Sequence, residues 1–297
     1  MKLRQFLKNL AKNGLKLFIL ACLIGGCSSS TTPTYLKEDI DKAIQDICRK
    51  EYKIDIKAKL VGQTVWIYLP LQDIVTKSDK PEKYIERFSI EHNSENFKDG
   101  ELKLEYAIRA VPEQEKYQEV KFDKSIIEKM NNVWKALRRV LFSMEQIKKG
   151  GPQFFCLVLA DIKNGFEISE IFYYLDIKKV SYEFISWTEY QHRAIQDTVV
   201  SPRIIGDKEG SHLDYRDIPF EEFISKQIQH RIKLKFQKPE VDKNVDIDKE
   251  ILKIVVYTLK MYDFKNFSVV ELNNMLTNNK IFLNEAAVWA KPIEQRF

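Results

Sequence analysis

Hydrophobic and polar residues follow two different periods along the chain, and these periods predict helices and strands. Apolar residues that return every three or four positions indicate an amphipathic helix, whereas alternation with polar residues indicates a half-buried strand. Three predicted helices are each followed by two predicted strands, in units that cover 35–70, 123–175 and 247–284. We therefore predict an α+β fold, in which antiparallel hairpins are flanked by helices in three helix–strand–strand units.

Helix caps and turn residues mark the boundaries of these units. The first helix is predicted over 35–50. Asp123 is placed to cap the second helix, which should extend to 147, and Asp246 or Asp248 is placed to cap the third. Asn164-Gly165 is the favoured pair for a type I′ hairpin turn.

The segments between the units carry weaker signals. Ser186 to Glu189 has the spacing of a capping box, which predicts a helix that extends to about Asp197. The segment 199–217 has few periodic residues and is predicted to be a long loop. Apolar residues at helical spacing predict a further helix over 219–236.

The strand pattern is clearest at Phe154–Ala160, which is almost continuously apolar and predicts a central strand covered on both faces. Two shorter alternating segments near 88–90 and 102–108 predict further strands. The polar segments 71–83 and 92–100 are predicted to be loops, and the highly charged segment 112–119 is predicted to be solvated. A weak domain boundary is predicted near 112–122.

Composition places the chain among folded proteins. Hydrophobic residues make up 44% of its 297 residues and aromatic residues 12%, which excludes a disordered chain. This length is enough for one or two domains with a core that needs no metal or disulfides.

The charge of the chain is concentrated at its N-terminus. There are 48 lysine and arginine residues and 43 acidic residues, which gives a net charge of +5. The first 26 residues contain five basic residues and no acidic residue: Lys2, Arg4, Lys8, Lys12 and Lys16. The remaining chain is therefore neutral in formal side-chain charge, which gives no reason to expect a nucleic-acid partner.

The N-terminal segment has the layout of a secretory signal. Its basic residues precede an apolar run from Leu17 to Ile24, and the small residues Gly25 and Gly26 follow. The run is about half as long as the ~20 apolar residues of a membrane-spanning helix. We therefore expect a signal peptide at 1–26 rather than a permanent transmembrane helix.

The end of this run, Ile24-Gly25-Gly26-Cys27, resembles the lipobox of bacterial lipoprotein precursors, and the polar residues 28–34 resemble the tether of that class. The resemblance covers residues 1–34. It implies cleavage before Cys27, a diacylglyceryl thioether on this cysteine and acylation of the new amino group. Two or more acyl chains anchor a protein stably to a membrane. The body would then comprise 35–297, and it suggests no family.

Three questions about the anchor stay open at this point. Ile19-Leu20-Ala21-Cys22 also fits a loose lipobox, but leaves a very short apolar run before it. An ordinary cleaved signal without lipid is the other alternative. Ser28 after the cysteine resembles lipoproteins of an outer membrane, whereas aspartate there retains others at the inner membrane.

Two cysteines, Cys48 and Cys156, remain in the body. Exported proteins can form disulfides, so the two can in principle pair. Because both lie in apolar patterns and cysteine is among the most buried residues, we expect two buried free thiols.

The sequence contains few signals for catalysis. It has no glycine-rich phosphate-binding motif, no nucleophile elbow and no H-E-x-x-H, and we predict no cofactor and no metal. The loop 210–217 gathers His212, Asp214, Tyr215 and other polar residues. A hydrolytic site at His212 and Asp214 is the functional interpretation of this loop, and a surface loop held by turn chemistry is the structural one.

Four other features have a functional and a structural interpretation, and in each case we favour the structural one. Glu189 and His192 are predicted to share a helix face, where they either bind a metal ion or are exposed to solvent. Asp161 is expected to cap backbone amides at a turn. A basic stretch (Lys226, Arg231, Lys233, Lys235 and Lys238) either contacts anionic lipids or is a solvated helix end that continues as a strand. Aromatic residues (Phe166, Phe172, Tyr173 and Tyr174) either line a sugar or peptide groove or pack a sheet.

The sequence therefore predicts a lipid-anchored protein of the cell envelope, at a cell membrane or outer membrane. Its exported body would bind or support other molecules, and the partner would be a protein or glycan of unknown identity. The sequence favours a binding module over an enzyme. The alternative is an envelope hydrolase with dispersed site residues around His212 and Asp214.

Overall fold

The computed structural model describes residues 35–144, 151–237 and 240–292, and these ranges contain seven α-helices and nine strands. The α-helices are α1 (Ile40–Tyr52), α2 (Lys124–Phe142), α3 (Tyr174–Ser181), α4 (Trp187–Arg193), α5 (Phe220–Gln237), α6 (Ile247–Met261) and α7 (Glu285–Ala290). The strands are β1 (Lys57–Val61), β2 (Thr64–Leu71), β3 (Val75–Lys98), β4 (Glu101–Phe122), β5 (Phe154–Asp161), β6 (Phe166–Tyr173), β7 (Ile195–Val200), β8 (Val269–Asn274) and β9 (Asn279–Asn284). No helix in the described ranges is both long enough and apolar enough to cross a membrane.

The strands form two mixed sheets, and the fold is of the α+β class. One sheet has the order β1-β2-β5-β6-β7 and the other the order β3-β4-β8-β9. Each of the three predicted helix–strand–strand units is present, with antiparallel hairpins β1–β2, β5–β6 and β8–β9. Parallel pairing of β2 with β5 and of β4 with β8 joins these hairpins to the rest of each sheet.

The central strand β5 is buried along its whole length, as its continuous apolar sequence predicts. Its alternate side chains enter two separate cores. Phe155 and Leu157 pack with α1 and α2 on one face of the five-stranded sheet. Cys156 and Val158 pack on the other face with α5, α6 and the four-stranded sheet. The five-stranded sheet is therefore the middle layer of the body.

The cysteines confirm this layering, because they lie on opposite faces of the middle sheet. Cys48 belongs to the core formed with α1 and α2, and Cys156 belongs to the other core. Both are buried free thiols, as predicted. Burial raises the pKa of each thiol to about 12.

The loops predicted at 71–83 and 92–100 are wrong over most of their length, because β3 and β4 form one long hairpin. The strands predicted near 88–90 and 102–108 are present within this hairpin. The segment 112–119 is solvated, as predicted, although it belongs to a strand.

Asp99 and Gly100, with φ of 54° and 81°, form the two-residue turn of the β3–β4 hairpin. Much of the ribbon is solvated, and cross-strand ion pairs replace apolar contacts there, such as Lys83–Glu115 at 2.6 Å. The segment 112–122 is part of β4, and a domain boundary at this position stays a prediction.

Several other boundaries differ from the predicted ones. The helix predicted to extend to Asp197 ends at Arg193, and β7 follows as an edge strand paired with β6. The Asn164-Gly165 turn is not of type I′, since only Gly165 has a positive φ and a four-residue loop joins Asp161 to Phe166. The second helix ends at Phe142, and 145–147 lie outside the described residues. The basic stretch does not continue as a strand, because α5 extends to Gln237.

Candidate functional site

The side chain of His212 lies between two carboxylates. Its Nδ1 atom is 2.6 Å from Oδ2 of Asp207, and its Nε2 atom is 2.7 Å from Oε2 of Glu167. The three side chains are only 9–11% exposed. Between two ionised carboxylates, which can only accept hydrogen bonds, both ring nitrogens donate, and the ring is then an imidazolium. We call these three residues the His212 cluster.

The cluster joins a loop to the middle sheet. Glu167 is on β6, whereas Asp207 and His212 are in the loop between β7 and α5. Oδ1 of Asp207 accepts the backbone N–H groups of Glu209 and Gly210, at 3.0 and 2.9 Å. The Asp207 carboxylate therefore shapes the loop at the same time as it binds the ring of His212.

Two tyrosines enclose the cluster. The Tyr68 hydroxyl donates to the backbone oxygen of Asp207 at 2.6 Å, and its ring meets the His212 ring edge to face at 5.8 Å. Gly210 has a φ of 71°, and a Cβ at this position would overlap the Tyr215 hydroxyl and the Tyr68 ring. Glycine is therefore required at this point of the loop.

The pKa values of His212 and Asp207 favour their charged forms. Burial lowers the pKa of His212, but the hydrogen bonds to Glu167 and Asp207 outweigh it, and the pKa lies above its usual value. Burial raises the pKa of Asp207, but hydrogen bonds from the ring and backbone of His212 outweigh it and lower that pKa. Burial and the neighbouring carboxylates raise the pKa of Tyr215 to about 12, so its hydroxyl stays protonated.

Among the site residues suggested by the sequence, the structure brings His212 but not Asp214 into this cluster. Asp214 is exposed. The nearby Asp217 accepts hydrogen bonds from the backbone N–H of Gln63 and the hydroxyl of Thr64, both at 2.9 Å, and thereby fixes the β1–β2 turn.

Sequence reasoning missed both partners of His212. For Asp207, the spacing to Gly210 is a turn signal that could have indicated a structured loop. For Glu167, the signal is weaker: it is an acidic residue on a strand between apolar neighbours, two positions after a glycine turn.

As placed, the cluster holds the loop on the sheet. Both ring nitrogens of His212 are engaged, so proton transfer to a substrate would require one of the carboxylates to move away first. The ring of His212 therefore links the loop to β6 through its contacts with Asp207 and Glu167.

A second cluster of charges links the helices α3 to α6. Arg193 donates to Asp176 and to Glu189, both at 2.7 Å, and Arg231 donates to Glu189 at 3.0 Å. The Tyr262 hydroxyl completes it by donating to Asp176 at 2.9 Å. Glu189 is thus held by two arginines and is part of an ion-pair network. Within the described ranges, no three His, Cys, Asp or Glu side chains are grouped as metal ligands.

Asp161 acts as a backbone cap, as predicted. Its completely buried carboxylate accepts hydrogen bonds from the backbone N–H groups of Ile74, Lys163 and Asn164, at 2.9, 3.1 and 2.9 Å. The Asn164 side-chain amide donates as well, at 3.0 Å. These bonds close the β5–β6 loop and explain why it does not need a type I′ turn.

The basic stretch and the strand aromatics have mainly structural contacts. Arg231 is buried in the second charge cluster, and Lys235 pairs with Glu250 at 3.0 Å. Lys238 lies outside the described residues. Phe172 packs edge to face on Trp134 at 4.4 Å, which confirms that this aromatic residue packs the sheet.

Comparison with known protein families, characterised proteins and solved structures finds no match to this chain.

Proposed function

We propose that this protein is a lipid-anchored protein of the bacterial cell envelope, attached through acyl chains on Cys27, with an exported body that binds or supports other molecules. The observation that carries the proposal is the sequence Ile24-Gly25-Gly26-Cys27, after a basic segment and an apolar run and before a polar tether. Sorting in the cell decides whether the anchored protein is at the inner or the outer membrane. Ser28, directly after the cysteine, favours the outer membrane.

The position of Tyr35 supports this arrangement. Its backbone N–H donates to the oxygen of Ser143 at 3.4 Å, and it forms a bridge with Met144. Residue 35 is therefore fixed at the end of α2, and the chain that comes from Cys27 meets the body there rather than inside a core.

The His212 cluster supports a binding or structural role. A histidine whose two nitrogens are engaged by carboxylates serves to hold its loop in one conformation. Rigid presentation of a surface loop is what a binding module needs.

A second candidate function is that of an envelope hydrolase, and the observation that favours it is the convergence of His212 with two carboxylates. In this case His212 would act as a base once one carboxylate is displaced by substrate. Asp207 or Glu167, rather than the exposed Asp214, would then orient the ring.

The anchor is tested by labelling cells with a palmitate analogue and separating their membranes. Cys27→Ser should abolish the label and change the mature N-terminus, whereas the matched variant Cys22→Ser should keep the label in the membrane fraction. Labelled Cys27→Ser protein would contradict the proposal, and loss of label only in Cys22→Ser would move the anchor to the other cysteine.

A further inference from the structure

Five large apolar side chains are exposed at the end of α2, on α3 and in the segment that joins α3 to α4. Phe142 ends α2, Leu175 is on α3, Tyr182 and Phe184 follow α3, and Trp187 begins α4. Their exposed fractions are 36%, 39%, 60%, 78% and 61%, respectively. The Tyr182 ring lies 5.5 Å from that of Phe142 and 6.4 Å from that of Phe184. We call these five residues the aromatic patch.

Basic residues border the aromatic patch. The Lys178 ammonium lies 6.0 Å from the centre of the Phe142 ring. Arg138 precedes Phe142 by one helical turn and is exposed, and Lys179 is 38% exposed at its side chain. Glu183 is an acidic residue in the same segment, and the Lys179 ammonium lies 3.9 Å from the buried Asp176 carboxylate. Exposed tryptophan, tyrosine and phenylalanine beside lysine and arginine are typical of surfaces at the boundary between lipid headgroups and acyl chains.

The tether meets the body at the edge of this patch. Tyr35 contacts Ser143, and Ser143 is the residue directly after Phe142. The stretch from Cys27 to Tyr35 spans at most about 27 Å when fully extended, at ~3.4 Å per residue. The patch and the point of tether attachment therefore lie on the same side of the body, within a short distance of the anchored end. Leu36, the next residue along the chain after Tyr35, is 52% exposed.

We propose that the aromatic patch is a second membrane contact, which lies on an anionic lipid bilayer next to the acylated N-terminus and fixes the orientation of the body. This inference rests on the proposed anchor, since the tether decides which face of the body lies nearest to the bilayer. The aromatic side chains enter the headgroup boundary, and Arg138, Lys178 and Lys179 face the anionic headgroups. An apolar patch covered in this way is no longer exposed to water.

The proposal is tested with the full chain, purified from membranes and placed in phosphatidylglycerol–phosphatidylethanolamine vesicles whose acyl chains carry bromine. Bromine quenches the fluorescence of tryptophan only where the ring reaches the acyl chains. The chain has four tryptophans, so Trp187→Phe is compared with the parent and with the matched control Trp289→Phe. We expect quenching of the parent and of Trp289→Phe, and its loss in Trp187→Phe. The exposed position of Trp187 makes this substitution compatible with folding.

Equal quenching of the parent and of Trp187→Phe would overturn the proposal. This is also the result expected if the patch binds a protein, because Trp187 would then stay away from the acyl chains. The mass of the N-terminal peptide is measured on the same sample and reports on the anchor separately. Acylated protein without Trp187 quenching would contradict only the membrane contact of the aromatic patch. Unacylated protein with Trp187 quenching would support this contact and contradict the lipid anchor at Cys27.

Discussion

The Nε2 atom of His212 lies 2.7 Å from Oε2 of Glu167, a residue 45 positions earlier in the chain and on a strand of the middle sheet. This contact, together with the one to Asp207, ties a long loop to β6. We expect His212→Gln to destabilise the protein by about 1–3 kcal/mol near pH 6, because a buried ionic contact is lost on both sides of the ring. Urea denaturation measures this change. The exposed Asp214→Asn is the matched control and should leave the stability unchanged.

The effect of His212→Gln should depend on pH with a definite sign. The pKa of His212 is raised in the folded protein, so its contribution is complete below the unfolded value of about 6.5 and is lost as the pH rises through the folded value. The difference between parent and variant should therefore be larger at pH 6 than at pH 9. A difference that grows with pH would show that the ring is not an imidazolium in the folded state.

Glu170 should affect stability in the opposite way to an ordinary ion-paired carboxylate. Burial on the sheet raises its pKa from 4.5 to about 7. The folded state then binds more protons than the unfolded state between these values, so stability falls as the pH rises through this range. We expect Glu170→Gln to be more stable than the parent at pH 8, and the two to be close in stability at pH 5. Thermal unfolding at the two pH values measures this, and equal differences at both would contradict it.

Asp161 should be among the most sensitive residues of the middle sheet. Asp161→Ala removes the acceptor for three backbone N–H groups and should cost about 2–4 kcal/mol. Denaturation by urea provides the measurement, with Asp79→Ala as control, because the Asp79 side chain is 94% exposed. Similar stability of the two variants would show that the β5–β6 loop does not depend on this cap.

The two cysteines of the body should behave as buried thiols. Because Cys48 and Cys156 lie on opposite faces of a sheet and have raised pKa values, neither a disulfide nor rapid alkylation is expected. In the folded protein both should resist a thiol reagent, and in denaturant without reductant both should react. A protein that yields these two thiols only after reduction would contradict the structure.

The sequence predicts those parts of the fold in which one face of an element is apolar. The stripe of α2, the buried strand β5 and the caps at Asp123 and Asp246 are all present as expected. Only the parts of the β3–β4 ribbon near 88–90 and 102–108 were predicted. The rest was missed because it is solvated, so that ion pairs rather than alternating apolar residues pair its strands. The Asp99-Gly100 turn of the ribbon was the available signal.

The His212 cluster could be predicted only in part, for a similar reason. His212 stands out in its loop, but its partner Glu167 is brought close by tertiary structure and not by spacing in the chain. Local signals do not contain a contact such as that between Glu167 and His212. The type I′ turn expected at Asn164-Gly165 failed for a local reason, because the Asp161 carboxylate accepts the backbone N–H groups of Lys163 and Asn164 and supports a longer loop there.

The most direct test of the proposed function is the mass of the mature N-terminal peptide, isolated from the membrane fraction of cells that produce the full chain. The account predicts a peptide that begins at Cys27 and carries a diacylglyceryl group and an additional amino-linked acyl chain. A peptide that begins at another residue, or an unmodified Cys27, would contradict it.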